Sequence, residues 1–496
     1  MLPAATLPAV IAQAVVTQAD LHTMVPELFV CGAAFALLMV DLFLAPARRG
    51  LTHFLALLIL VAAAVLTARD FSTGERLAFS GFFVRDIAAD VLKMAMYVVT
   101  GLIFVYAKPF LQDRNLFKGE FYALVLFALL GMMLMVSAGG LVTLYLGLEL
   151  LALSCYGLVG MDRDNPVASE AAMKYFILGS MASGLLLYGM SLIYGATGSL
   201  QLADIYAAAG SLPQGGNEGM LLTLGVVFLL VGVAFKFGAA PFHMWLPDVY
   251  QGAPTAITAF LGSAPKLAYF GMAYRLLEAG VGPLDVEWRM MVAFLAAASL
   301  VIGNLIALAQ TNLKRLLAYS TISHVGFLFM GLANATPLGY GAAMFYAVSY
   351  SIMGAAAFAA ILVLSRKGFD AENIADFRGL WKTHPWYALL VLMVMASLAG
   401  IPPFLGFWSK LVVIQAALDA GMGWLAILSV VCAVLGAFYY LRVIRAMFFE
   451  EADGDGAVIH PDSHVRAAFA INALALLGLG IFAQPLMAWC QQAFPA

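Results

Sequence analysis

Charge is what this chain of 496 residues has least of. Asp, Glu, Lys and Arg together make up 11% of it, against ~25% in an ordinary soluble domain. With 64% of its residues hydrophobic, it has too little polar surface to face water on all sides, which excludes a soluble fold and defines a membrane protein. Basic runs are missing too: nothing exceeds the doublets Arg48-Arg49, Lys314-Arg315 and Arg366-Lys367, and the net charge is −3. Nucleic acid is therefore excluded as a partner. Cysteine is scarce, and Cys31, Cys155, Cys432 and Cys490 lie far apart in apolar surroundings. Zinc, iron–sulfur and thiol redox sites need close pairs, so these four read as buried small hydrophobes. Neither a G-x-G-x-x-G fingerprint nor a phosphate loop occurs, which excludes nucleotide binding by those means. No histidine pair has the spacing of a membrane haem site, so electron transfer through the chain has no support. The first twenty residues lack the basic start of a signal peptide, although 4–16 are apolar, and the N-terminus is expected to stay in the mature chain.

What the sequence has in abundance is apolar length. A bilayer core takes ~20 residues of helix, and that ruler predicts an all-α integral membrane protein of about fourteen spans. They lie near 27–45, 51–68, 87–107, 120–138, 141–161, 168–197, 219–246, 254–278, 288–309, 313–332, 337–365, 385–416, 422–449 and 464–491. The longest polar stretches, 69–86, 366–384 and 450–463, are too short to form a domain with its own core. Lys and Arg mark the cytoplasmic side. Of these residues 15 follow odd-numbered spans, among them Lys108, Arg114, Arg163, Lys314 and Arg315, and 5 follow even-numbered ones. Odd spans should therefore end in the cytoplasm, with both termini on the opposite face.

The remaining basic residues, Lys93, Lys174, Lys236, Lys266 and Lys410, fall inside predicted spans, and none is arginine. That bias suits positions that change protonation state, because arginine keeps its proton in proteins whereas a desolvated lysine can be tuned. A charge at mid-membrane costs on the order of 3 kcal/mol or more, so each needs a role or a partner. Lys93, near a span end beside Asp90, is expected to snorkel to the headgroups. Lys174 has Glu170 at i−4, a spacing that fits an ordinary helix-surface pair as well as a functional one. Lys236, Lys266 and Lys410 lie too deep for snorkelling. The comparable carboxylate is Glu149, which needs a cationic partner.

Two spans, 7 and 12, read as broken. In FKFGAAPFHMWLPDVYQGAPT the residues Gly238, Pro241, Pro247, Gly252 and Pro254 interrupt the helix after Lys236, and in SLAGIPPFLGFWSK Gly400, Pro402, Pro403 and Gly406 interrupt it before Lys410. Broken helices at membrane depth line polar cavities. The shared Pro-Phe and Trp pattern (Pro241-Phe242 and Trp245; Pro403-Phe404 and Trp408) suggests two repeats of five spans, 4–8 and 9–13, and an odd number inverts the second copy. The expected units are 1–119, 120–280, 281–450 and 451–496. His324, in LAYSTISHVGF with Ser320, Thr321 and Ser323 nearby, can pass protons or serve as a hydrogen-bonded structural residue. His243 at the first break carries the same two readings. His22, His53, His384, His460 and His464, in loops or at span ends, are expected to be solvated.

Together GLELLALSCYGLVG, EAAMKYF at the start of span 6, FKFGAAPFHMWLPDVYQGAPT, APKLAYF, LLAYSTISHVGF and PPFLGFWSKL resemble the N type of the antiporter-like membrane subunits of NADH:quinone oxidoreductase, respiratory complex I. The paralogous M type typically has Glu where Lys410 stands, and the tryptophan usual before the Glu of the paralogs is missing before Glu149. The resemblance implies a proton-translocating membrane-arm subunit of a bacterial inner membrane. In it Glu149 pairs with Lys236, Lys266 is the central carrier, His324 the link and Lys410 the terminal carrier, while Lys174 matches a further functional lysine. It also implies that NADH, FMN, iron–sulfur clusters and quinone sit in other membrane-arm and peripheral-arm subunits, with no cofactor or metal in this chain. A free-standing cation/proton antiporter would use the same lysines. A purely structural membrane scaffold would leave them without a role.

Overall fold

The computed structural model describes residues 16–45, 48–212, 216–452, 458–460 and 462–495. The apolar stretch 4–16, apart from Val16, and the last residue lie outside the described residues. A short α1 (Gln18–Thr23) precedes α2 (Val25–Leu42) and α3 (Gly50–Arg69), and a hairpin of β1 (Arg76–Ala78) and β2 (Phe83–Arg85) leads into α4 (Ile87–Asp113). There follow α5 (Gly119–Val136), α6 (Leu141–Val159), α7 (Pro166–Thr197), the short α8 (Leu202–Ser211) and α9 (Asn217–Phe237). Next come three short helices, α10 (Trp245–Gly252), α11 (Thr255–Leu261) and α12 (Pro265–Tyr274), then α13 (Asp285–Ala307), α14 (Leu313–Ala333) and α15 (Pro337–Leu364). The chain closes with α16 (Leu380–Thr383), α17 (Pro385–Ala399), α18 (Leu405–Asp419), α19 (Gly423–Phe449), α20 (Ser463–Ile481) and α21 (Ala483–Gln492).

Among the described residues 12 helices are long and apolar enough to cross a bilayer, one in each predicted span except 254–278 and 385–416; the helix in 219–246 stops at Phe237, at the expected break, and the one in 464–491 stops at Ile481, with α21 following. Spans 254–278 and 385–416 are each built from a pair of short helices, α11 with α12 and α17 with α18. The break in 385–416 is the expected one. The break at 262–264, immediately before Lys266, was not expected, because only Gly262 and Pro265 mark it and a helix tolerates proline in its first turn. The β1–β2 hairpin is a small departure from an all-α chain.

Helix starts follow local chemistry. Asp86 accepts from the Ala89 amide at the head of α4 (2.8 Å), Asn312 from the Arg315 amide at α14 (2.9 Å) and Thr336 from the Gly339 amide at α15 (3.1 Å). Each satisfies a donor that the first turn leaves free. The most enclosed helices are α14 and α15, whose apolar windows are 100% and 94% buried, whereas α2 and α3 are only about one-third buried. The bundle therefore centres on α14 and α15, with α2 and α3 at its edge. Small residues let α13 approach α14: a Cβ on Gly303 would stand 2.6 Å from the Ser323 amide, and one on Gly326 2.8 Å from the Ala296 carbonyl. Such contacts replace the hydrophobic drive that lipid does not supply.

Lys93 does not snorkel. It is fully buried, its Nζ lies 2.6 Å from Glu27 Oε1 on α2, and Glu27 is fully buried as well. Beside it Arg85, 1% exposed, binds Asp90 (3.0 Å) and Asp70 (3.2 Å) and donates to the Asp70 and Thr67 carbonyls. The partner that holds Lys93 sits 66 residues away in sequence on another helix, and helical spacing cannot reveal such a pair. Removing one member of a buried pair costs roughly 3–5 kcal/mol, so the cluster fastens the edge helix α2 to α4.

Two histidines also depart from the solvated reading. His460 is buried with Nε2 3.3 Å from Asp113, and His53 is half-buried against the Tyr122 hydroxyl (3.0 Å). In both cases the contact is to another element folded over a span end. The four cysteines are unpaired and mostly buried, as expected.

Candidate functional site

Two helices stop inside the bundle. Helix α9 ends at Gly238 (φ 77°) and α17 at Gly400 (φ 87°), left-handed positions that favour glycine. A helix C-terminus leaves carbonyls without intrahelical donors, and at membrane depth they must be satisfied within the protein. At α17 the Gly400 and Ile401 amides bond the Ala396 carbonyl (3.1 and 3.0 Å), while Lys410 Nζ donates to the carbonyls of Leu398 and Ala399, both at 2.9 Å. At α9 the Ala239 amide takes the Ala234 carbonyl (2.8 Å), Trp245 Nε1 donates to the Phe235 carbonyl (2.9 Å) and Lys266 Nζ to the Phe237 carbonyl (2.8 Å). A cation here meets the negative end of the helix macrodipole. Lys266 itself stands in the first turn of α12, the unfavourable end for a cation, and reaches across to α9.

Lys314 makes a third arrangement of this kind. It is 1% exposed and donates to the carbonyl of Ala253, the residue that ends α10, and to Glu372, both at 2.8 Å. In sequence Lys314 counts only among the loop charges, because a lysine next to an arginine at a span start looks like a cytoplasmic flank.

Lys236, on the last turn of α9, is 4% exposed and donates to Ser183 Oγ on α7 (2.9 Å). No ion pair within 4.0 Å joins it to Glu149. Glu149 lies half-buried on α6, and its Oε1 is buried without a hydrogen-bond partner among the described residues. Lys236 and Lys266 thus meet the end of α9 at adjacent residues but hold different partners, Ser183 Oγ and the Phe237 carbonyl, and Glu149 Oε1 bonds neither lysine. Lys174 stands apart from these. Its side chain is 43% exposed and binds Glu170 (2.8 Å) and Asp248 (2.9 Å), and Asp248 also holds Arg315 (2.8 Å). The i−4 pair exists, extended by a carboxylate on α10.

His324, on α14, is held at both nitrogens by tyrosines: Nδ1 to Tyr346 OH (2.6 Å) and Nε2 to Tyr440 OH (3.1 Å). Ser320 bonds the same Tyr440 hydroxyl, and Tyr350 donates to Thr321 Oγ1 (2.7 Å). Tyr439 donates to Asn304 Oδ1 (3.0 Å), whose amide reaches Ser323 (2.8 Å). Between this network and Lys410 stands Phe327, its ring centroid 5.4 Å from the ammonium and stacked on Tyr346 at 5.7 Å. The serines and threonine were visible in sequence and the tyrosines were missed. Tyr346 and Tyr350 are four apart, hence on one face of α15, which was the available signal. His243 sits in the turn after α9, half-buried, with Nδ1 unbonded.

Buried lysines held by the carbonyl ends of interrupted helices, in a bundle of this size that also encloses a histidine–tyrosine network, are the features of an antiporter-like membrane subunit. Residues 138–436 match the family described as NADH:quinone oxidoreductase/Mrp antiporter, transmembrane. NADH-quinone oxidoreductase subunit N of Xanthomonas euvesicatoria is 58% identical over 96% of this chain and 97% of its own length, and that of Laribacter hongkongensis is 50% identical over 96% and 98%. Among solved structures, a chain of respiratory complex I from Thermus thermophilus superposes with a TM-score of 0.79 at 31% identity, covering 93% of this chain and 98% of that one. A chain of the Mrp complex from Dietzia gives 0.81 at 25% identity, covering 95% and 97%. The chain belongs to the NADH:quinone oxidoreductase/Mrp antiporter membrane family, on its subunit N branch.

Proposed function

We propose that the chain is a proton-translocating membrane-arm subunit of NADH:quinone oxidoreductase, assembled with other membrane-arm and peripheral-arm subunits in a bacterial inner membrane. Protons move along Glu149, Lys236, Lys266, His324 and Lys410, and quinone reduction in partner subunits supplies the energy. The observation that carries this reading is that Lys266 and Lys410, buried at membrane depth, are held by backbone carbonyls of interrupted helices rather than by carboxylates. Such an ammonium is balanced without being locked into an ion pair. In this reading Glu149 moves toward or away from Lys236 and alters its proton affinity. The proton then passes to Lys266, through the His324 hydroxyl network, to Lys410. Units 120–280 and 281–450 act as inverted halves, and Lys174 tunes the first half from its surface through Asp248. NADH, FMN, iron–sulfur clusters and quinone belong to the partner subunits.

The test is purification of the tagged full-length chain from its own membranes, with reconstitution of whatever accompanies it. Recovery of an NADH-oxidising assembly that acidifies one side of the vesicle is expected. Recovery of the chain in a smaller complex that exchanges cations for protons without NADH would replace this reading with that of an antiporter.

A further inference from the structure

The hydrogen bonds that would carry a proton toward Lys410 stop one ring short of it. His324 reaches Tyr346 and Tyr440, whereas the bonds of Lys410 Nζ go to the carbonyls of Leu398 and Ala399. Among the described residues no hydrogen bond joins the two groups. Phe327 fills the step between them. It follows His324 by three residues, hence on the same side of α14, and is 1% exposed. Its ring lies nearly parallel to that of Tyr346 (14°, centroids 5.7 Å apart) and its centroid is 5.4 Å from the Lys410 ammonium. A phenyl ring neither donates nor accepts a proton, so transfer across this step needs water in the place that the ring occupies.

A pump needs such an interruption, because a continuous line would let protons run back down the gradient they build. The contact with Lys410 also gives the interruption a control. The face of an aromatic ring attracts an ammonium through its quadrupole and has no comparable hold on a neutral amine. While Lys410 carries its proton, the ring is drawn over it and the way back to His324 is closed. Once Lys410 is neutral the hold is gone, and the ring can give way to water. The ring is therefore held in place when the lysine is loaded and released when the lysine is ready to accept.

We propose that Phe327 is a valve between the His324 network and Lys410, held shut by the charged lysine and opened when the lysine is neutral. It is a positioning residue, and the step it admits is a single proton transfer through water. One proton leaves the network and binds the lone pair of the Lys410 amine; the network returns to its neutral form, and the ammonium so formed draws the ring back. The proposal rests on the proton-translocating reading above, in which His324 and Lys410 are successive stations.

The test uses the purified, assembled complex in liposomes, with the membrane potential clamped by a potassium ionophore. A pH step imposed without NADH measures proton back-flow, and NADH-driven transport measures pumping. Phe327→Leu keeps an apolar side chain and loses the aromatic face, so back-flow should rise by roughly threefold or more, the weight of a lost cation–π contact, and fewer protons should be moved per NADH oxidised. Phe327→Ala, which also empties the space, should leak at least as fast. Adding Lys410→Ala to either variant should return back-flow to the parent value, because the route runs through that lysine, whereas a hole left by poor packing would leak regardless. Being the milder change, Phe327→Leu decides the matter even where Phe327→Ala fails to assemble. A rise of less than about threefold in Phe327→Leu, or a leak that survives Lys410→Ala, overturns the valve. Lys410→Ala alone, assayed in parallel, separates the two ideas: normal pumping there defeats the proton-translocating reading, whereas lost pumping there with Phe327 variants as tight as the parent defeats this inference alone.

Discussion

Lys266→Met separates structure from transport at the centre of the bundle. The native ammonium donates to the Phe237 carbonyl at 2.8 Å and is 1% exposed. Removing it abolishes a charged hydrogen bond of about 1.5–3 kcal/mol, and the freed carbonyl carries a desolvation penalty of about 1–3 kcal/mol. Against this, the cost of holding a charge at mid-membrane, roughly 3 kcal/mol, disappears, and methionine is flexible enough to fill the space. The terms nearly cancel, leaving a net change of at most about 3 kcal/mol. The variant should therefore assemble, while loss of the proton carrier should cut pumping by about a hundredfold or more. Lys266→Arg should also pump poorly despite keeping its charge, because guanidinium does not release its proton. The assay is proton translocation in vesicles, normalised to the content of assembled complex, with artificial-acceptor NADH oxidation as the control. An assembled Lys266→Arg complex pumping like the parent would show that position 266 requires charge alone, and its role as carrier would have to be withdrawn.

Glu149→Ala should depress NADH-driven pumping and spare artificial-acceptor oxidation, and normal pumping in a fully assembled variant would remove Glu149 from the path. Reporter fusions at Arg315 and at Ala496 should place these positions on the cytoplasmic and the opposite face respectively, so the reverse pattern would invert the topology. Lys93→Met alone should destabilise the chain by roughly 3–5 kcal/mol by stranding Glu27, and adding Glu27→Leu should recover most of that loss; in thermal unfolding of the purified complex, a double variant no better than the single refutes the pairing. Gly400→Ala forces a left-handed alanine, costing roughly 1–2 kcal/mol, and puts a Cβ 2.9 Å from Lys410 Cδ. It should slow pumping more than it reduces assembly, and unchanged pumping would show that the position of Lys410 is uncritical.

Much of the bundle was legible because the membrane makes the sequence obey one ruler, and most of the predicted spans returned as single helices within a few residues. The lysines were legible for the same reason, since a charge inside an apolar run is conspicuous whatever surrounds it. What sequence could not supply was the partner. Lys93 looked like an interfacial residue until Glu27 appeared beside it on another helix, and Lys314 looked like a loop charge until the end of α10 was found against it. Glu149 and Lys236 were paired by resemblance, and their separation in the fold depends on how α6 and α9 pack. The tyrosines around His324 were hidden by abundance, because aromatic residues are common in apolar helices and only hydroxyl geometry distinguishes a network from a core.

The interrupted helices and the buried lysines make sense together and not separately. A carboxylate beside Lys410 would bring a full negative charge, and an ammonium so paired releases its proton only if the partner moves or is itself protonated. A helix C-terminus presents roughly half an elementary charge spread over several carbonyls, enough to offset part of the burial cost without closing an ion pair. When the lysine is neutral, its amine can still donate a hydrogen bond to Leu398 or Ala399, so the carbonyls are not stranded in either state. The same holds for Lys266 at Phe237. Both protonation states are then tolerated by one backbone arrangement, which a relay residue requires, and the glycines at 238 and 400 end the helices where these side chains can reach them. A continuous helix through either position would consume its own carbonyls in i to i−4 bonds and leave the lysine with nothing of intermediate strength to hold.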